Sequence, residues 1–185
     1  VTNGIDGPDR YGHGTAMAGL MAAKRNTVGI RGVSPGARIL AATQRYQSWH
    51  PAEIAAGIDW LVSNQVAVIL CATTYLWAPE ISNALRRAES DGVPFVTGGY
   101  NADPRTGGLI NGDITLHGII AEHGMEFGNM LVVTTTDRQD DYWPVGTYGT
   151  NWVHMAAPGA HIATTWNDGG YRYTSGNYVS CALTA

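Results

Sequence analysis

Ala67-Val68-Ile69-Leu70-Cys71-Ala72-Thr73 is a continuous apolar run of strand length, and no other segment limits the possible folds as much. A strand with one face in water alternates polar and apolar residues, so a run without alternation needs cover on both faces. Val93-Pro94-Phe95-Val96-Thr97 and Met130-Leu131-Val132-Val133-Thr134-Thr135-Thr136 share this character. Helical spacing separates them. Behind Pro51, apolar side chains recur at Ile54, Ile58, Leu61 and Val62, and a second set recurs at Ile81, Ala84, Leu85 and Ala88, closed by Asp91-Gly92. Gly14 to Ala23 reads as a first helix, and Ala37–Gln44, Val153–Met155 and His161–Thr165 read as further short strands. Buried strands alternating with amphipathic helices predict a three-layer α/β/α domain with a mainly parallel sheet. Sites in such sheets lie at the carboxyl ends of the strands.

The 185 residues suffice for one domain with a sizeable core, and no internal repeat or linker divides them. Charged residues make up only 14% of the chain and the net charge is −4, without a Lys/Arg run. That balance argues against a nucleic-acid partner or an anionic membrane surface. No apolar run reaches membrane-spanning length. The start at Val1 and the helix-compatible run up to Ala185 lead us to expect a partial domain over residues 1–185, cut at both ends. Cys71 and Cys181 make one pair at most, and each sits among small apolar residues that suit a buried free thiol.

The chemistry concentrates in Tyr11-Gly12-His13-Gly14-Thr15-Ala16-Met17-Ala18-Gly19. Histidine is the side chain best suited to proton transfer near neutral pH, and the flanking glycines allow close approach at a helix entry. A lone histidine there is more often a packing residue than a catalyst, so the whole phrase carries the weight. It resembles the His-Gly-Thr-His-Val-Ala-Gly helix of the subtilase family, the subtilisin-like serine proteases. Four further segments resemble the family in the same order. They are Gly32-Val33-Ser34-Pro35-Gly36-Ala37, Ala88 to Asn101, Asp137 after the Met130–Thr136 strand, and Met155-Ala156-Ala157-Pro158-Gly159.

The resemblance implies a subtilisin-like fold, peptide or protein substrates, and a secreted or extracellular setting. It implies His13 as general base and Asn101 as side-chain donor to an oxyanion. For substrate binding it implies Ala72, Thr73 and Thr74 after one strand and Gly98, Gly99 and Tyr100 after the next. Tyr100 stands where the family has a glycine, and the Ala72–Tyr75 edge lacks the family's paired glycines. The family's Gly-Thr-Ser-Met-Ala-Ser-Pro is set against Ser175-Gly176-Asn177-Tyr178-Val179-Ser180-Cys181, with Asn177 in the serine's place. A carboxamide is no nucleophile, because its nitrogen lone pair is delocalised, and this register predicts an impaired or inactive pseudoprotease. The alternatives are an active endopeptidase that uses Ser175 in a shifted register, and a non-enzymatic peptide-binding module. The family's catalytic aspartate is expected upstream of Val1, while Asp6 and Asp9 read as surface turn residues. No cofactor is implied. Calcium, which many subtilases bind, could involve Asp103, Asp113, Asp137, Asp140 or Asp141, although no loop shows a ligand spacing. His117, Glu122 and His123 read as surface or loop residues, and His154 and His161 flank the Pro-Gly turn in the same role.

Overall fold

The computed structural model of the protein describes residues 9–43, 50–73, 78–99, 101, 110–111, 127–144, 146–151 and 153–185. Its centre is a parallel sheet of β1 (Ile69–Cys71), β2 (Phe95–Gly98), β4 (Met130–Thr136) and β6 (Met155–Pro158), hydrogen-bonded in that order. A two-residue pair, β3 (Ile110–Asn111) with β5 (Thr147–Tyr148), and an antiparallel hairpin of β7 (Ile162–Thr165) and β8 (Tyr171–Thr174) complete the strands among the described residues. Among the described residues the helices are α1 (His13–Ala22), α2 (Pro51–Ser63), α3 (Pro79–Ser90) and α4 (Asn177–Thr184).

The register explains the unbroken apolar runs. Ile69, Phe95 and Met130 lie side by side across three strands, and so do Leu70, Val96 and Leu131 one residue on. Successive side chains point to opposite faces. The first row packs with Ile58, Ile81, Ala84, Leu85 and Ala88 of α2 and α3. The second packs with Ala16, Met17 and Leu20 of α1 and Val179, Cys181 and Ala182 of α4. Each strand is therefore covered twice, as a three-layer α/β/α domain requires. Both α2 and α3 open on a proline at the first helical position, where the missing N–H costs nothing. Gly92, at φ 69°, ends α3, with Val93 N–H returning to Ala88 O.

Ala37–Gln44 departs from expectation. Residues 37–43 form no strand, and residue 44 lies outside the described residues. A strand exists only through its neighbours, and no described segment pairs with this one. The strand expected at Val153–Met155 begins two residues later, because Val153 and His154 precede the ladder that β6 forms with β4.

The cysteines stand on opposite sides of the sheet. Cys71 shares the face of Thr97 and Val132, which looks toward α2 and α3, whereas Cys181 reaches Gly98 from α4 on the other face. Both are free thiols, and burial raises each pKa to about 12. Neither thiol should therefore react with a maleimide at neutral pH in the folded protein, and both should react after denaturation without reductant. A mass increase of two adducts only in denaturant checks this. Leu85→Ala, at a fully buried position between α3 and the sheet, should cost about 2–5 kcal/mol in urea unfolding.

Candidate active site

Two helix N-termini meet above the carboxyl ends of β2 and β4, and they carry the candidate residues. His13 is the first residue of α1. Gly12 before it adopts φ 83°, and a side chain there would run into the Trp166 ring. Two threonines fix the helix on the hairpin. Thr164 Oγ1 donates to Ala16 O at 2.7 Å, and Thr165 Oγ1 donates to Thr15 O at 2.8 Å. Gly19 lets α1 settle this close, since a Cβ there would collide with Thr165 Oγ1.

The group that faces the His13 ring is Tyr178. The two ring centroids are 5.9 Å apart with planes at 89°, an edge contact between the starts of α1 and α4. Packing removes water from part of the imidazole and holds its pKa below the ordinary value, while the charge of Asp9 acts in the opposite sense. The net shift favours the neutral imidazole, the form a general base requires.

Asn177 has a different task. Its side chain is fully buried and turned toward the sheet. Nδ2 donates to Gly99 O at 3.1 Å and lies 3.4 Å from Thr147 Oγ1, while Oδ1 accepts from Thr135 Oγ1 at 3.0 Å. Its backbone N–H donates to Asn101 Oδ1 at 2.8 Å. Gly176, the residue before α4, has φ 138°, and a Cβ there would stand 3.1 Å from the Asn101 carboxamide. Asn101 therefore sits at the mouth of α4. Its Oδ1 is spent on the helix, and its Nδ2 makes no hydrogen bond among the described residues.

The serines are engaged elsewhere. Ser175 Oγ accepts from His161 N–H at 2.8 Å and so ties the start of α4 to the turn before β7. Ser180 is fully buried, with its hydroxyl 2.9 Å from Ala157 O, to which it donates, and 3.1 Å from Thr135 Oγ1.

Of the substrate edge, Ala72 and Thr73 follow β1, half-buried, and Thr74 and Tyr100 lie outside the described residues. Gly98 and Gly99 are buried beneath α4 and β5. A Cβ on Gly98 would stand 2.8 Å from Asn177 Cβ, and one on Gly99 would strike the Thr147 side chain. These glycines admit the neighbouring elements.

Asp9 is more than a surface turn residue. Oδ1 accepts from the N–H groups of Tyr11 and Gly12 at 3.0 and 2.9 Å, and Oδ2 accepts from Thr15 N–H and Oγ1 at 2.8 and 2.9 Å. These bonds hold its pKa below the usual carboxylate range against the opposing effect of partial burial. Asp6 lies outside the described residues. Among the aspartates considered for calcium, Asp137 accepts from Gln139 and Asp141 N–H groups within its own turn. Its acceptors serve the backbone, and no cluster of three candidate metal ligands occurs among the described residues. Asp103, Asp113, His117, Glu122 and His123 lie outside them. His154 Nδ1 accepts from Val132 N–H at 3.0 Å, and His161 packs edge-on against Trp143.

Two residues of the site, Tyr178 and Asp9, do not stand out in the sequence. Setting Gly176 directly against the glycine of Gly-Thr-Ser brings Tyr178 opposite the serine, a register that the sequence offers without a gap. The signal for Asp9 is an acidic residue just ahead of an uncapped helix start.

Helices on both faces of a parallel sheet, with a histidine helix and a second helix meeting at the strand ends, make a subtilisin-like fold. The structure matches a cold-adapted subtilisin-like serine proteinase with a TM-score of 0.74 at 22% identity, covering 98% of this chain and 61% of that one. It matches Sphericase with a TM-score of 0.72 at 25% identity, over 96% and 62% of the two chains. The model of the Subtilase family matches residues 1–185, and the chain belongs to that family. It is 32% identical over 189 residues to a thermophilic serine proteinase of Bacillus sp. (strain AK1), covering 97% of this chain and 42% of that protein. It is 27% identical over 180 residues to a thermostable alkaline protease of Halalkalibacterium halodurans, covering 96% and 44%. The chain therefore spans less than half the length of these relatives.

Replacing Asn177 by Ala removes the donor to Gly99 O and the acceptor for Thr135 Oγ1 in a buried site. The variant should lose about 1–3 kcal/mol in urea unfolding. His13→Ala, at a partly exposed ring, should lose far less in the same measurement.

Proposed function

We propose that this subtilase domain has lost peptide-bond hydrolysis and retains the scaffold as a binder of peptide or protein segments. One observation carries the reading: the side chain set against His13 is the Tyr178 ring. In this reading Tyr178 holds the nucleophile's place. A register with Asn177 in that place leads to the same loss by another route. A phenol titrates near 10 and carries its oxygen beyond a rigid ring, so it does not reproduce a serine Oγ held beside the histidine. The carboxamide of Asn177 lacks a nucleophilic lone pair and is committed to the sheet. Ser175 and Ser180 use their hydroxyls to fasten α4.

The magnitude decides what such a loss means. In subtilisin, itself a member of the family, removing the serine lowers kcat by about 10⁶ and leaves about 10³–10⁴ over water. That residue comes from binding and oxyanion stabilisation, the parts Asn101 would supply. Peptides remain the ligand class that the family implies, and an extended segment laid along a strand edge is the recognition mode this architecture suits.

A fluorophosphonate probe tests the proposal, because it marks an activated serine without requiring turnover. The protein should not be labelled. Tyr178→Ser should gain slow labelling at residue 178, and Asn177→Ser should not, with circular dichroism confirming the fold of both. Labelling of the unaltered protein at Ser175 or Ser180 overturns the reading, and labelling of Asn177→Ser at residue 177 overturns the register.

A further inference from the structure

We propose that Asp9 is the positioning residue of His13: its carboxylate locks the residues before α1 to the helix's first turn and so delivers the imidazole to Tyr178. The inference stands apart from the proposed loss of hydrolysis, since it concerns how the histidine is held.

Gly12, the residue before α1, has no side chain to cap the helix, and no side-chain cap bond is made there. The first N–H groups of a helix need outside acceptors. Asp9, four residues ahead of His13, supplies one for Thr15 N–H and also anchors the two residues before the helix. One oxygen takes Tyr11 and Gly12 N–H, and the other takes Thr15 N–H and hydroxyl. His13 lies between the two anchored sections, so its backbone is fixed from both sides. Asp9 is itself held, because its carbonyl accepts from Asn167 Nδ2 at 2.6 Å. The hairpin is thereby joined to the histidine loop at two places, here and where Trp166 lies under Gly12. Without the carboxylate, four donors lose their acceptor and the start of α1 frays, since glycine offers it no conformational restraint.

Asp9 has a second effect on the same ring. Its charge favours the imidazolium, against the packing that favours the neutral form. Among the described residues, the other groups around His13 come from α4 and the hairpin. From α4 comes Tyr178. The hairpin presents Trp166, with Arg172 stacked 4.8 Å over it and paired with Asp168 at 3.0 Å.

NMR of the whole protein separates positioning from mere capping. Asp9→Asn keeps an acceptor for Tyr11 and Gly12 but removes the charge and one acceptor oxygen. It should move the His13 titration midpoint down while the His13–Tyr178 ring NOE persists. Asp9→Ala should move the midpoint down and also lose the NOE. If both variants keep midpoint and NOE while only thermal stability falls, Asp9 is a helix cap alone and the proposal is overturned. Should Asp9→Ala not fold, an unchanged midpoint in Asp9→Asn overturns the proposal equally.

Discussion

The architecture depends on how closely α4 approaches the sheet. Three glycines set the distance. Gly98 and Gly99 at the end of β2, and Gly159 after β6, each sit where a Cβ would strike α4 or its neighbours. With the backbones this near, water is excluded, and every polar group in the contact must find a protein partner. Asn177 and Ser180 meet that demand. The carboxamide serves Gly99 and Thr135, and the hydroxyl serves Ala157. The residue at the start of α4 is thus chosen by the demands of the interior, and the next one, Tyr178, turns toward α1.

This geometry separates membership of a family from possession of its activity. Subtilases are recognisable from their histidine helix, their strand order and the helix at the strand ends, all of which are packing features. They are present here. Hydrolysis needs in addition a serine oxygen beside the histidine and an aspartate behind it, and the packing of the layers places no constraint of its own on those atoms. A chain can therefore keep TM-scores above 0.7 to subtilisin-like structures while packing an aromatic ring against its histidine.

The sequence announces the layers plainly and the site only in part. The runs at Ala67–Thr73 and Met130–Thr136 and the spacing in α2 and α3 are local patterns, and each maps onto an element of the structure. Ala37–Gln44 has apolar content similar to that of Met130–Thr136, but pairing is a property of two segments and leaves no mark in one of them. His13 is legible because its phrase is long. Asn177 is placed by counting small residues of a motif, whereas the facing of side chains at a helix start depends on which of two adjacent positions looks inward. Asp9 leaves a faint trace, because bonds to amides two to six residues onward have no periodicity.

The Tyr178 ring has a further consequence. It belongs to the apolar cluster that joins α1 and α4 to the sheet, and it is almost wholly buried. Emptying that position would leave a void of aromatic size in a close-packed layer, for which large-to-small changes typically cost about 3–5 kcal/mol. A small hydroxyl residue at this position would therefore stand in a loosened joint between the helices that would have to align it. The firmness of this joint between α1, α4 and the sheet thus rests largely on one side chain.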